Sequence, residues 1–158
     1  MPLDIGVGIL LSLGVAEYFG IEATPLLIAF GIACTLLPDI DILTIPLFGK
    51  WHHRTHTHYP IAYLPLVVLA FVFLDPAYAA LFTLAVYAHL IHDTFGIGWG
   101  IAWLWPFSRR KFLFYAARET IPDDSNWVRH YYFRPNLLAY IEYGVLLVAL
   151  IALARHLA

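Results

Sequence analysis

Four of the eight histidines in this 158-residue chain, His52, His53, His56 and His58, fall within the stretch WHHRTHTHY. Two more, His89 and His92, sit beside Asp93 in HLIHD, and Asp39 and Asp41 lie just ahead of the first cluster in PDID. Neutral imidazole and ionised carboxylate are the usual ligands of zinc, iron and manganese. Such groups at the ends of apolar segments are costly, and a bound cation compensates. The residues therefore point to a metal site at a membrane surface.

Composition supplies the setting. The chain is 61% hydrophobic and only 13% charged, where a soluble domain is about a quarter charged. With a mean hydropathy of +0.74, this predicts an integral membrane protein. The single cysteine, Cys34, excludes an intramolecular disulfide. The near-neutral pI of about 6.4 gives no sign of nucleic-acid binding. No basic region precedes the first apolar run, so no cleavable signal peptide is expected. Residues 1–158 read as one domain without internal repeats.

The elements that must carry these residues are helices. The apolar runs predict an all-α, polytopic transmembrane bundle of about five membrane-associated helices. They cover about Leu3–Phe19, Thr24–Leu37, Pro60–Leu74, Ala77–Phe95 and Leu137–His156. The second should stop ahead of Pro38, because proline disfavours helix at the residue before it, and Pro65 should kink the third. Both fall short of the roughly 20 apolar residues of a full span. They are expected to be shallow, extended by neighbouring chain, or buried in the bundle.

Five crossings would put the connections 38–59 and 96–136 on one side. Those connections hold Lys50, Arg54, Arg109, Arg110, Lys111, Arg118, Arg129 and Arg134, eight of the nine basic residues. The positive-inside rule makes that side cytoplasmic, with the N-terminus inside and the C-terminus outside. The same topology gathers the chemistry at one level. His89, His92 and Asp93 share a helix face at i, i+3 and i+4. In extended chain after Pro38, Asp39 and Asp41 would point the same way. His52 and His53, as neighbours, are not expected to reach one ion together. His130 and His156 read as surface residues, and the Trp and Tyr residues from Trp99 to Tyr132 as an interfacial aromatic belt.

In order, LLPDID (Leu36–Asp41), HRTHTH (His53–His58), HLIHD (His89–Asp93) and LWP (Leu104–Pro106) resemble the membrane-bound, metal-dependent hydrolases of bacteria and archaea. That family's pattern is PDxD, HRxxTH, HxxxD and a Gly- and Trp-rich stretch ending in WP. The resemblance covers roughly Leu36–Pro106. It implies metal ligands at Asp39, Asp41, His53, His58, His89 and Asp93, with Arg54 and Thr57 inside the second motif. Tyr59 stands where the family commonly has a small residue. His56 and His92 stand where it has apolar or small ones; with Arg54 they are the candidate catalytic groups beyond the ligands. The family is distantly similar to zinc phospholipases C and single-strand nucleases.

Six ligands suit two ions, zinc first and manganese or iron as alternatives, better than one open ion. Two ions about 3.5–4 Å apart would activate water and stabilise a leaving oxygen. Arg54 offers a planar fork for an anion. The expected function is hydrolysis of a phosphoester in a lipid or lipid-linked substrate at the inner face of the membrane, with membrane lipid as the partner and no nucleic acid. Two other classes stay open: a di-iron oxygenase or desaturase, whose sites are histidine-dominated, and a metal-ion carrier or sensor, whose ligands should lie near mid-membrane.

Overall fold

The computed structural model describes residues 2–44, 56–95, 100–114 and 137–158. Five α-helices account for most of them: α1 (Pro2–Phe19), α2 (Pro25–Leu36), α3 (Pro60–Phe73), α4 (Pro76–Phe95) and α5 (Leu137–Leu157). Four begin at a proline, whose fixed φ and missing N–H suit the first helical turn. Thr24 caps α2 by accepting a hydrogen bond from the Leu27 amide at 3.2 Å. Asp75 does the same for α4, accepting from the Ala77 amide at 2.9 Å. α1 ends where Gly20 takes a left-handed φ of 66°. The Ile21 amide then reaches back to the Ala16 carbonyl at 2.9 Å and the Gly20 amide to that of Glu17 at 3.2 Å, a Schellman closure.

α1 is the hub, packing against α2, α4 and α5, while α3 leans mainly on α4. Its contact stripe repeats every four residues: Asp4, Gly8, Ser12 and Ala16 are all buried. Gly8 lets the helices close. A side chain there would meet the α2 backbone at Ile32, and one at Gly31 would meet Ser12 and the Gly8 carbonyl. Small residues at crossings are how membrane helices approach closely. The Ser12 hydroxyl donates to the Gly8 carbonyl at 2.7 Å and lies 3.2 Å from that of Leu27 on α2. Thr35 of α2 reaches the Asp4 carbonyl of α1 at 2.9 Å. These contacts fix the register of α1 against α2, and with it the depth of Asp4.

α2 ends at Leu36, ahead of Pro38 as expected, but the chain stays helical beyond it. Leu37 keeps right-handed helical angles (φ −56°, ψ −42°), and the chain runs on as a 3-10 helix over Leu37–Thr44. The missing N–H of Pro38 costs little in the first turn of the new helix. This extension gives α2 the length that its α-helical part lacks: Pro25–Leu43, α1 and α5 are long and apolar enough to cross a membrane. α4 has a comparable 20 residues but carries His89, His92 and Asp93 in its last two turns, and α3 has only 14.

Candidate metal centre

The 3-10 helix corrects the expectation that Asp39 and Asp41 point the same way. At three residues per turn, positions i and i+2 lie about 240° apart. Asp39 faces His58 and His89, at 3.4 and 3.5 Å from their Nε2 atoms. Asp41 instead lies behind His58, 3.5 Å from its Nδ1. There it also accepts a 2.8 Å hydrogen bond from the Thr57 hydroxyl, while Tyr63 donates to the Thr57 carbonyl at 2.7 Å.

Four side chains from three parts of the chain converge: Asp39 after α2, His58 in a short 3-10 turn (His56–His58) ahead of α3, and His89 and Asp93 one turn apart near the end of α4. One ligand atom from each lies within 4.8 Å of all the others. The nitrogen–oxygen separations are 3.4 Å (His58 to Asp39), 3.3 Å (His58 to Asp93), 3.5 Å (His89 to Asp39) and 3.6 Å (His89 to Asp93). A charge-assisted hydrogen bond between imidazole and carboxylate is shorter, about 2.7–2.9 Å. Ligands sharing a tetrahedral ion at about 2.0–2.2 Å lie about 3.4 Å from one another. These four separations match donors around a common cation, and the set as a whole could hold one.

The rear of each imidazole supports this. His89 Nδ1 meets Asp4 Oδ1 of α1 at 2.8 Å, and His58 Nδ1 meets Asp41 and Thr57. Both rings therefore turn Nε2 toward the cluster, and a carboxylate behind a metal-binding histidine fixes its tautomer and raises its basicity. The buried Nε2 of His89 makes no hydrogen bond among the described residues. The donors and their supports thus fit a divalent transition metal. Burial opposes charge on His58. Its contacts with Asp39, Asp41 and Asp93, and the charge of Asp93, outweigh that and lift it to about 9 in the metal-free protein.

His92 and Glu142 extend the polar patch. His92 lies 3.6 Å from Asp4 on one side and 3.6 Å from Glu142 of α5 on the other. Among the described residues, five carboxylates (Asp4, Asp39, Asp41, Asp93, Glu142) meet three imidazoles here. Buried ionisable groups are expensive unless they are paired or bind a cation.

The 100–114 segment closes over this end. Ile101 and Phe112 exchange backbone hydrogen bonds at 3.0 and 2.9 Å. The turn needs Gly100: its φ is 68°, and a side chain would meet the Phe112 carbonyl. Trp103 donates to the Thr94 hydroxyl at 2.8 Å, and Trp105 stacks on Tyr59 with centroids 4.6 Å apart. Trp103 and Trp105 thus have specific partners and are more than a belt. Tyr59, where the resemblance to the metal-dependent hydrolases leads one to expect a small residue, is what Trp105 rests on.

Of the six expected ligands, the structure brings Asp39, His58, His89 and Asp93 together and places Asp41 behind His58. His53, Arg54 and His52 lie outside the described residues. Of the other candidate catalytic groups, His56 is exposed with its ring against Tyr59, and His92 sits between Asp4 and Glu142 rather than in the four-atom set. Sequence reasoning missed Asp4 and Glu142. Asp4 reads as an ordinary acid in a helix first turn. Glu142 did carry a signal: a lone carboxylate in an apolar helix is a functional candidate by default.

A family model described as "YdjM inner membrane protein" matches residues 4–157. No curated protein and no solved structure matches the chain. The match spans nearly the whole chain, which therefore belongs to the YdjM inner membrane protein family, and three of its helices are long and apolar enough to cross a membrane.

Proposed function

We propose that this YdjM-family membrane protein is a metal-dependent hydrolase that acts on a phosphoester of a lipid or lipid-linked substrate at the cytoplasmic face. The observation that carries the reading is the set of four nitrogen–oxygen separations between 3.3 and 3.6 Å, too long for hydrogen-bonded pairs and suited to a shared ion. Asp39, His58, His89 and Asp93 would hold the ion, and Asp4 and Asp41 would keep both imidazoles turned toward it. Bound there, a divalent metal supplies Lewis-acid polarisation and a water nucleophile at neutral pH. Arg54, next in sequence to the second motif's first histidine, would bind the phosphate oxygens bidentately. Attack of water oxygen on phosphorus breaks the ester bond, and a proton passes to the departing alcohol.

The cytoplasmic assignment rests on basic residues. α1, α3 and α5 start, and α2 and α4 end, at the level of the cluster, so both long connections leave from and return to this end, and in sequence they carry eight of the nine Lys and Arg residues. A second reading draws on the number of donors. Four protein ligands close a tetrahedral zinc site, as in structural zinc centres. Catalysis needs a fifth or sixth position, which manganese and iron accept readily and zinc reaches in some transition states. The two readings separate on one assay. Detergent-purified protein loaded with zinc, manganese or iron is given phosphatidic acid and water-soluble phosphoesters. Metal-dependent phosphate release, absent in His89→Ala, supports the hydrolase. Full metal occupancy with no turnover under any metal supports the structural centre.

A further inference from the structure

The four cluster residues differ in access. The side chains of His58, His89 and Asp93 are at most 4% exposed, whereas Asp39 is 12% exposed. Asp39 also lines a cavity of about 320 Å³, the low end of ligand-pocket size. Every other lining residue is apolar: Ile5 from α1, Ala33 and Leu36 from α2, and Leu37, Ile40 and Leu43 from the 3-10 helix. From Leu37 back to Ala33 is about one helical turn, roughly 6 Å. The groove thus leads from Asp39 toward the middle of α2, which is toward the interior of the bilayer.

We propose that this groove receives the first part of the hydrocarbon tail of a lipid phosphate ester whose head lies on the Asp39–His58–His89–Asp93 cluster. The proposal rests on reading the cluster as a metal-bound phosphoester site. A water-soluble substrate gains nothing from an apolar wall at the ligand with most access. A lipid gains on both counts: its tail stays in an apolar surround, and its charged head meets the cation at the level of the headgroups. Ala33 is exposed and faces the groove, so a larger side chain there fills it without entering the α1–α2 contact.

The test uses the full chain in vesicles, loaded with metal, and phosphatidic acid carrying a diazirine in its tail. Diacylglycerol with the same tail is the comparison. Phosphatidic acid should label the 33–43 stretch well above diacylglycerol. Chelation of the metal should lower that labelling to the diacylglycerol level. Ala33→Trp should do the same while keeping its metal. Equal labelling by the two lipids, with and without metal, overturns the proposal, because it describes ordinary surrounding lipid. Wild-type labelling in metal-loaded Ala33→Trp overturns it as well. Metal-dependent labelling without any phosphate release would leave the groove standing and remove the hydrolase reading. Turnover of lipid and soluble phosphoesters alike in Ala33→Trp would remove the groove and leave the hydrolase.

Discussion

The two ends of the bundle hold ionisable groups in opposite ways. At the end where α1 finishes and α4 begins, Glu17, Glu22, Asp75 and His156 are all exposed. A cavity there, about 330 Å³ and lined in part by Glu17, Glu22 and His156, nearly matches the groove at the other end in volume. Asp75 spends its carboxylate on a helix cap. At the end where α1 begins and α4 finishes, Asp4, Asp41, Asp93, His58, His89 and Glu142 are buried. Water solvates the first set at little cost. The second set must find its compensation inside the protein. The contrast teaches that a carboxylate or histidine near an apolar helix says little until its burial is known, and that buried carboxylates and imidazoles converging at ligand spacing are the mark of a candidate cation site.

The strongest way to break this contrast is to remove ligands at the buried end only. Asp39→Ala, His89→Ala and Asp93→Ala should each abolish stoichiometric metal binding, measured by elemental analysis of purified protein. Removing one partner of a buried charged set also destabilises by about 3–5 kcal/mol, visible as a lower thermal midpoint. His156→Ala at the exposed end should leave both quantities unchanged.

Removing the supports behind the ligands should have a smaller effect. Asp4→Asn and Asp41→Asn keep the side-chain shape and remove the carboxylate behind one imidazole each. Losing such a partner costs about 10- to 100-fold in metal affinity, read by competition with a chelator of known affinity. Unchanged affinity in Asp4→Asn would remove Asp4 from the account.

Proton competition should be of similar size. His58 is raised to about 9 in the metal-free protein, so below that pH a proton must leave before metal binds. Affinity should therefore rise about tenfold per pH unit for that one proton up to about pH 9, then flatten. The sign reverses for folding of the metal-free protein. Its stability gain from charged His58 is complete below about 6.5 and fades as pH rises through about 9.

The smallest effect belongs to the exposed end. Asp75→Ala removes the α4 cap and should cost about 1 kcal/mol of stability without change in metal content. By contrast, Gly31→Ala, at the α1–α2 crossing, should cost about 1–3 kcal/mol. It should also weaken metal binding, because that crossing sets the depth of Asp4.

The helices were readable in the sequence because a membrane imposes long apolar runs, and helix-starting prolines mark where they begin. Asp39, His58, His89 and Asp93 were readable because rare ligand types lie at ends that alternate along the chain. What the sequence did not give was direction. Extended and 3-10 chain after Pro38 share one composition, yet they send Asp41 to opposite sides of the cluster. Asp4 was invisible for a related reason. Its partner His89 is 85 residues away in the chain, and only the α1 register set by Gly8 and Ser12 brings them together.

The central claim is that Asp39, His58, His89 and Asp93 share one ion. X-ray absorption at the metal edge of the loaded, detergent-purified protein tests it most directly. The expected spectrum has two imidazoles and additional oxygen donors at about 2.0–2.2 Å, without sulfur, and loses one imidazole or the metal itself in His89→Ala. A sulfur-containing shell, or a histidine count unchanged in both His58→Ala and His89→Ala, would contradict the account.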